Sequence, residues 1–283
     1  MEQAPTIREL LRAGTRALTP ADGGRLDAEL LLGIALACDR STLIREPDTP
    51  VAAASAARFH TLLEARTQGR PLAYLRGVQE FWSLDFEVTP DVLIPRGDSE
   101  LLVRLALEKM MQREAPRVAD LGTGSGALAI AIAKERADST VLAVDYSAAA
   151  LRVARRNAVR HRTPNAWLVQ ADWVAALKPR TYAVIVANPP YVASDDPLLV
   201  NSSLRFEPRA ALAAGQDGLA ALTVLAHAAP ATLLPGGWLL MEHGAAQGAA
   251  VRTRFAAVDL IDIATLRDLA GHERVTVGRR VEA

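Results

Sequence analysis

The sequence predicts an α/β protein: a mostly parallel, doubly wound sheet preceded by a small α-helical N-terminal domain and a β-hairpin connector. Apolar residues recur at helical spacing from Thr6 to about Arg70. Beyond Ser99 strand-like and helix-like runs alternate, the pattern of a parallel sheet covered on both faces. A glycine-rich turn joins the first of those strands to the next helix.

In the N-terminal region "TIRELLRAG" and "RLDAELLLGIALA" carry the helical period, with Thr6 and Asp27 placed as helix caps. Residues 1–77 are read as one helical domain ending near Gly77. From Gly69 to Glu100 aromatic and β-branched residues alternate around turn signals, so residues 78–98 are read as a hairpin connector. Residues 99–283 form the second domain. Its order is helix "SELLVRLALEKMMQ", strand "RVADL", helix "ALAIAIAKER", strand "VLAVD", helix "AALRVARRNAVRH", then strands "AWLVQAD" and "YAVIVAN". After a loop come helix "GLAALTVLAHAAPATL", strand "GWLLMEHG", helix "GAAVRTRF" and extended segments at "DLIDIATL" and "ERVTVGR". Ligands of such a sheet bind beyond the carboxyl ends of its strands.

Composition narrows the class. The 283 residues carry 32 Lys and Arg against 32 Asp and Glu, half are hydrophobic, and the balance argues against a disordered or strongly nucleic-acid-seeking chain. Cys38 is the sole cysteine, so neither an intrachain disulfide nor a cysteine zinc site is available. "MEQAPTIREL" lacks a signal pattern, and runs such as "LLLGIALAC" fall short of the ~20 residues of a membrane span. A cytoplasmic protein is expected. The five histidines show no ligand spacing, and no metal is expected.

The loop "DLGTGSG" places Gly122, Thr123, Gly124, Ser125 and Gly126 between a strand and a helix N-terminus, where backbone and ligand can approach closely. In a dinucleotide fingerprint two residues precede the third glycine; here one does, which favours a nucleoside ligand without a pyrophosphate. The next strand ends at Asp145, positioned to accept the hydroxyls of a ribose. The third ends at Asp172-Trp173, suited to an adenine edge and face. Singly, Asp145 suits a helix cap, Asp172 a turn and Trp173 a core position. Three successive strand ends in this order point instead to one nucleoside.

The fourth strand delivers "NPPY", Asn188 to Tyr191. Two prolines stiffen the turn and remove its N–H donors, leaving carbonyls that face outward unsatisfied. The Asn188 side-chain oxygen and the Pro189 carbonyl can each accept one N–H of a planar NH₂ group, with the Tyr191 ring on its face. Acceptors on both N–H bonds push electron density back onto a nitrogen whose lone pair is delocalised.

With "DLGTGSG" after the first strand and "NPPY" after the fourth, the chain resembles the class I S-adenosylmethionine-dependent methyltransferases that act on amide or exocyclic amino nitrogens. "GRPLAYLRGVQEFWSLDFEVTPDVLIPR", "NPPYV" and "FEPRAALAAGQDGL" are similar to segments of the bacterial glutamine N5-methyltransferases of peptide chain release factors. That resemblance covers essentially the whole chain. It implies a Rossmann-like fold, S-adenosylmethionine as methyl donor, and release factors, the proteins of translation termination, as partners. It also implies methylation at the glutamine of their Gly-Gly-Gln loop, with the helical domain helping to dock them. By position it assigns the cofactor to Gly122 through Gly126, Asp145, Asp172, Trp173 and Asn188. The glutamine amide falls to Asn188, Pro189, Pro190 and Tyr191, which are also the catalytic group.

After "IPR" the resembling family usually continues Pro-Glu-Thr-Glu, whereas Gly97, Asp98 and Ser99 stand here before Glu100. Those residues and Arg96 are therefore expected to form a structural turn, with Asp98 or Ser99 capping the next helix. Arg205, Glu207 and Arg209 either shape the substrate pocket or are solvated. A ribosomal-protein glutamine methyltransferase shares NPPY and is the nearest alternative. A DNA or RNA amino-methyltransferase would be expected to show a target-recognition domain or basic surface, and the neutral balance shows neither. A non-catalytic nucleoside-binding module would have no use for Asn188 and both prolines. Neither a membrane nor a nucleic-acid partner is expected.

Overall fold

Helix α1 (Ile7–Ala17) starts at a capping box: the Glu9 N–H donates to the Thr6 hydroxyl, and the Thr6 N–H donates to the Glu9 carboxylate at 2.8 Å. The computed structural model describes residues 4–18, 23–258 and 260–282. The chain divides into two units, Met1–Gly77 and Val78–Ala283.

In the first unit α1 is joined by α2 (Gly24–Leu36), α3 (Arg40–Arg45), α4 (Ala53–Thr67) and α5 (Leu72–Arg76). Ile7, Leu10, Leu31, Leu32 and Phe59 are among the apolar residues that converge on its core. Thr6 caps as expected, but Asp27 does not. It lies inside α2, buried, and its carboxylate accepts the Arg66 guanidinium of α4 at 2.7 Å. A partly buried Arg across the core outcompetes a cap for an acid one turn into the helix. Residues 72–76, at the end of the region read as helical, form α5, led by Pro71 with its helix-compatible φ and closed by left-handed Gly77.

The second unit opens with the hairpin β1 (Val78–Phe81) and β2 (Leu84–Glu87). Its two-residue turn holds Trp82 and Ser83 at positive φ, a conformation that suits hairpin twist and disfavours these side chains. Carboxylates restrain it: the Trp82 N–H donates to Glu100, the Ser83 N–H to Glu80 and the Trp82 indole to Glu135.

The elements beyond Ser99 follow the expected order. They are α6 (Glu100–Lys109), β3 (Arg117–Leu121), α7 (Ala127–Glu135), β4 (Thr140–Asp145), α8 (Ala148–His161), β5 (Ala166–Gln170) and β6 (Tyr182–Ala187). A loop with a short helix, α9 (Leu198–Asn201), leads to α10 (Ala220–Ala228), β7 (Leu233–Glu242), α11 (Gly248–Ala256), β8 (Leu260–Arg267) and β9 (Glu273–Arg280). Asp259, expected to begin the penultimate strand, lies outside the described residues, as do residues 1–3. Helix α10 is shorter than the apolar run suggests because Pro230 cannot continue it, and Ala229–Thr232 becomes a 3-10 turn.

The sheet order is β5-β4-β3-β6-β7-β9-β8, parallel from β5 to β7, with β9 antiparallel to both its neighbours. A mostly parallel, doubly wound sheet is what the alternating pattern predicts. Alternate residues of the central strands feed two core layers: Val118, Val184 and Val186 pack with α6 and α7, while Ala119, Leu121 and Ile185 pack with α10 and α11. Every residue of β6 is buried. The carboxyl ends of β4, β3, β6 and β7 therefore stand side by side on a rigid base. No helix among the described residues is long and apolar enough to cross a membrane.

Candidate active site

The glycine loop is shaped by what surrounds it. The N–H groups of Gly122 and Thr123 both donate to the Val144 carbonyl at 2.9 Å, pinning the end of β3 to β4. Gly126 leads into α7 at φ +84°, and a Cβ there would stand 2.9 Å from Ile130 Cδ1, so only glycine suits this helix start. Gly124, at φ +55°, differs in that a Cβ would meet nothing within 4 Å. Its surface is open, the condition a cradled ligand requires.

Asp145 ends β4 with both oxygens anchored: Oδ2 accepts the Gly124 N–H at 2.8 Å and Oδ1 the Ser147 N–H at 2.9 Å. Each oxygen keeps lone-pair capacity toward the neighbouring cavity. Behind the loop, Asp120 accepts the Thr123 hydroxyl at 2.6 Å and the Ala129 N–H at 3.2 Å through Oδ2, while Oδ1 is buried without a partner. Burial pushes the Asp120 carboxyl up to about 7, against the pull of those two donors.

A cavity of about 460 Å³ lies over these strand ends. Gly122, Gly124, Asp145, Asp172, Trp173, Asn188 and Pro190 all line it, together with Pro90–Leu93, Tyr146 and the 208–211 loop. Trp173 sits in the left-handed region at φ +42°, with its ring over Gly122 and its other face against the α10–α11 core layer. An aromatic residue held in that conformation stores backbone strain at the cavity wall. A smaller cavity of about 50 Å³ adjoins it, lined by Thr123 and Ser125 with Phe81, Leu93, Arg96 and Ser99. Asn188, Gly122 and Gly124 line both.

Gly126, Pro189 and Tyr191 line neither cavity. Pro189 is buried. Tyr191 is half-buried against the α10–α11 layer, its hydroxyl 3.4 Å from Glu242 Oε1 and its carbonyl accepting the Gln247 side-chain N–H at 3.1 Å. Burial, followed by the nearby Glu242 charge, pushes the Tyr191 hydroxyl up to about 12.

Other polar residues surround the site through contacts between distant parts of the chain. Ser99 precedes α6 but makes no cap bond. Its hydroxyl donates to Glu242 Oε2 at 2.6 Å and accepts the Asn188 side-chain N–H at 3.0 Å, which corrects the capping role expected for it. Glu242 is buried at the end of β7; burial pushes its carboxyl up to about 7, while Ser99 and Arg274 pull it down. Glu207 is buried too, accepting the Ile94 N–H at 3.0 Å and the Arg96 guanidinium. Arg209 donates to the Ser194 carbonyl at 2.8 Å, and Arg205 lies over the Phe206 ring. Buried Asn157 ties the Glu87 backbone to the Ser125 carbonyl of the glycine loop. Glu242 had one available cue, its place at a strand end.

The chain is similar to known proteins. Residues 98–215 match the methyltransferase small domain family and residues 9–77 the PrmC N-terminal domain family. A release factor glutamine methyltransferase of Xylella fastidiosa is 49% identical over 275 residues, 97% of this chain and 98% of that one. One of Escherichia coli is 40% identical over 269 residues, 95% of this chain and 97% of its own. Among solved structures, a methyltransferase of Pyrococcus furiosus superposes with a TM-score of 0.53 at 19% identity, covering 70% of this chain and 89% of that one, a likeness of fold.

Proposed function

The chain belongs to the release factor glutamine methyltransferases, and from that membership we propose how its own residues carry the reaction. The protein methylates a glutamine of release factors. In our reading the methyl donor is S-adenosylmethionine, the acceptor is the side-chain N5 of the glutamine in the Gly-Gly-Gln loop, and the helical residues 1–77 help to dock the release factor. The observation that carries it is Asn188, which lines both the large cavity over the glycine loop and the small one beside it.

The large cavity suits the cofactor's nucleoside. Gly124 leaves open space, Asp145 offers lone pairs for the ribose hydroxyls, and Asp172 and Trp173 close the adenine end. When bound, the cofactor supplies a sulfonium methyl group for displacement by nitrogen. The protein's share is to hold and electronically prepare that nitrogen. The Asn188 Oδ1, at the wall of both cavities, accepts one amide N–H bond, and the other is assigned to the Pro189 carbonyl on family resemblance, Pro189 itself lining neither cavity; the acceptors raise density on a nitrogen otherwise delocalised into its carbonyl. On accepting the methyl group the nitrogen would become cationic and would release one N–H proton to the solvent. A strong general base is unnecessary for so acidic a proton. Positioning by the stiff Pro189-Pro190 turn provides proximity.

The test is transfer of a labelled methyl group from S-adenosylmethionine to recombinant release factor. A release factor with the loop glutamine replaced by alanine, a ribosomal protein and unmethylated DNA are assayed beside it. Label on native release factor alone is expected; label on the ribosomal protein or DNA overturns the substrate.

A further inference from the structure

Ser99, Asn188 and Glu242 come from three distant parts of the chain and form one line of hydrogen bonds, running from the cavity wall to the buried end of β7. Asn188 Nδ2 donates to Ser99 Oγ at 3.0 Å, and Ser99 Oγ donates to Glu242 Oε2 at 2.6 Å. The direction of this line is imposed from its far end. Whenever the Glu242 carboxyl is ionised it only accepts, so the single Ser99 proton then points to Glu242, as the 2.6 Å bond has it. Ser99 then has only lone pairs to offer Asn188, and only the NH₂ end of the amide satisfies them. The oxygen end is left for the pocket.

We propose that Glu242, acting through Ser99, sets which end of the Asn188 amide faces the substrate, making Ser99 and Glu242 positioning residues for glutamine recognition. This rests on the function proposed above. The two ends of an asparagine amide are alike in shape and opposite in hydrogen-bonding sense. Flipped, Asn188 would present its NH₂ to the substrate's NH₂, donor against donor. The buried strand β6 before it and the two prolines after it fix where Asn188 stands without choosing between these orientations. Tyr191, donating to Glu242 Oε1, and the Arg274 guanidinium, held by Asp98 and Asp268, support the charged carboxylate.

The test uses the full-length chain with Ser99→Ala, Ser99→Thr and Glu242→Gln. Methyl transfer to release factor, calorimetric S-adenosylmethionine affinity and the NMR signals of the Asn188 side-chain NH₂ are measured for each. Ser99→Ala is expected to lower kcat on the order of 10- to 100-fold, with cofactor affinity little changed and the Asn188 NH₂ protons losing their protection from exchange. Ser99→Thr, which keeps the hydroxyl, recovers most of that rate and the protection. Glu242→Gln, whose amide can donate to Ser99 and reverse the line, loses rate although its shape is retained. Wild-type kcat in Ser99→Ala, or unchanged Asn188 NH₂ signals in both Ser99→Ala and Glu242→Gln, overturns the inference. A wild-type chain that labels no release factor overturns the proposed function instead, and the NMR measurement on the chain alone still decides the orientation of Asn188.

Discussion

The Asp145 carboxylate holds the N–H of Gly124 at 2.8 Å, so the residue proposed to bind the ribose also sets the shape of the loop beneath it. Asp145→Ala removes both roles. S-adenosylmethionine binding is expected to weaken by about 1.5–3 kcal/mol, the loss of charge-assisted hydrogen bonds. Asp145→Asn keeps one acceptor oxygen and should lose less. Calorimetric affinity equal to wild type in Asp145→Ala removes the ribose assignment.

Glu207 and Ile94 predict a stability effect away from the chemistry. The Ile94 N–H is buried and its partner is the Glu207 carboxylate at 3.0 Å. Glu207→Ala strands that donor, at a cost of about 1–3 kcal/mol. Arg96 adds less because its side chain is 37% exposed and water can take over. For a unit of this size each kcal/mol lowers Tm by roughly 2–4 °C. Denaturant unfolding of Glu207→Ala indistinguishable from wild type contradicts this account.

Asn188→Ala separates catalysis from folding. The side chain is half-buried at a cavity wall, so truncation leaves solvent-accessible space in place of a sealed void. By analogy with removing one preorganised group from a transition-state site, kcat should fall roughly 10²–10³-fold. Unfolding temperature should move far less. Turnover near wild type would sink the amide-pocket reading.

The legible parts of the fold are those whose cause is local. Helical period, strand runs and the "DLGTGSG" turn each state their geometry within a dozen residues, and the cavity gathers Gly122, Gly124, Asp145, Asp172, Trp173 and Asn188 as strand-end reasoning expects. What escaped is long-range and polar. Ser99 reaches Glu242 across 143 residues, and Ile94 reaches Glu207 across 113. No spacing rule pairs residues so far apart. For Asp27, and for Asp98 or Ser99, a local cap is the best short-range use of such a side chain. A tertiary partner wins at Asp27 and Ser99 because a buried polar group gains more from a fixed partner than a solvated helix end loses. Glu242 stood at a strand end like Asp145, and the same rule extended to β7 finds it.

The Glu242 carboxyl predicts opposite pH trends for activity and stability. Burial raises it from the ordinary 4.5 to about 7; Ser99, Arg274 and Tyr191 favour its charged form and Asp98 opposes it. Above about 7 the carboxylate accepts only, and the Asn188 orientation is enforced. Below that, a protonated Glu242 can donate to Ser99 and release the constraint. The kcat of wild type should therefore rise with pH through about 7, whereas Glu242→Gln should lack that rise. Stability runs the other way. Between 4.5 and about 7 the folded chain keeps a proton that the unfolded chain has shed, so the contribution of this group falls as pH increases. Asp120, also raised to about 7, adds to the same slope, while buried His243, whose lowered pKa resists protonation, opposes it toward acid pH. Subtracting the Glu242→Gln unfolding free energies from those of wild type, across pH 5 to 8, isolates the Glu242 share. A difference independent of pH, or a wild-type rate flat through 7, refutes the assignment.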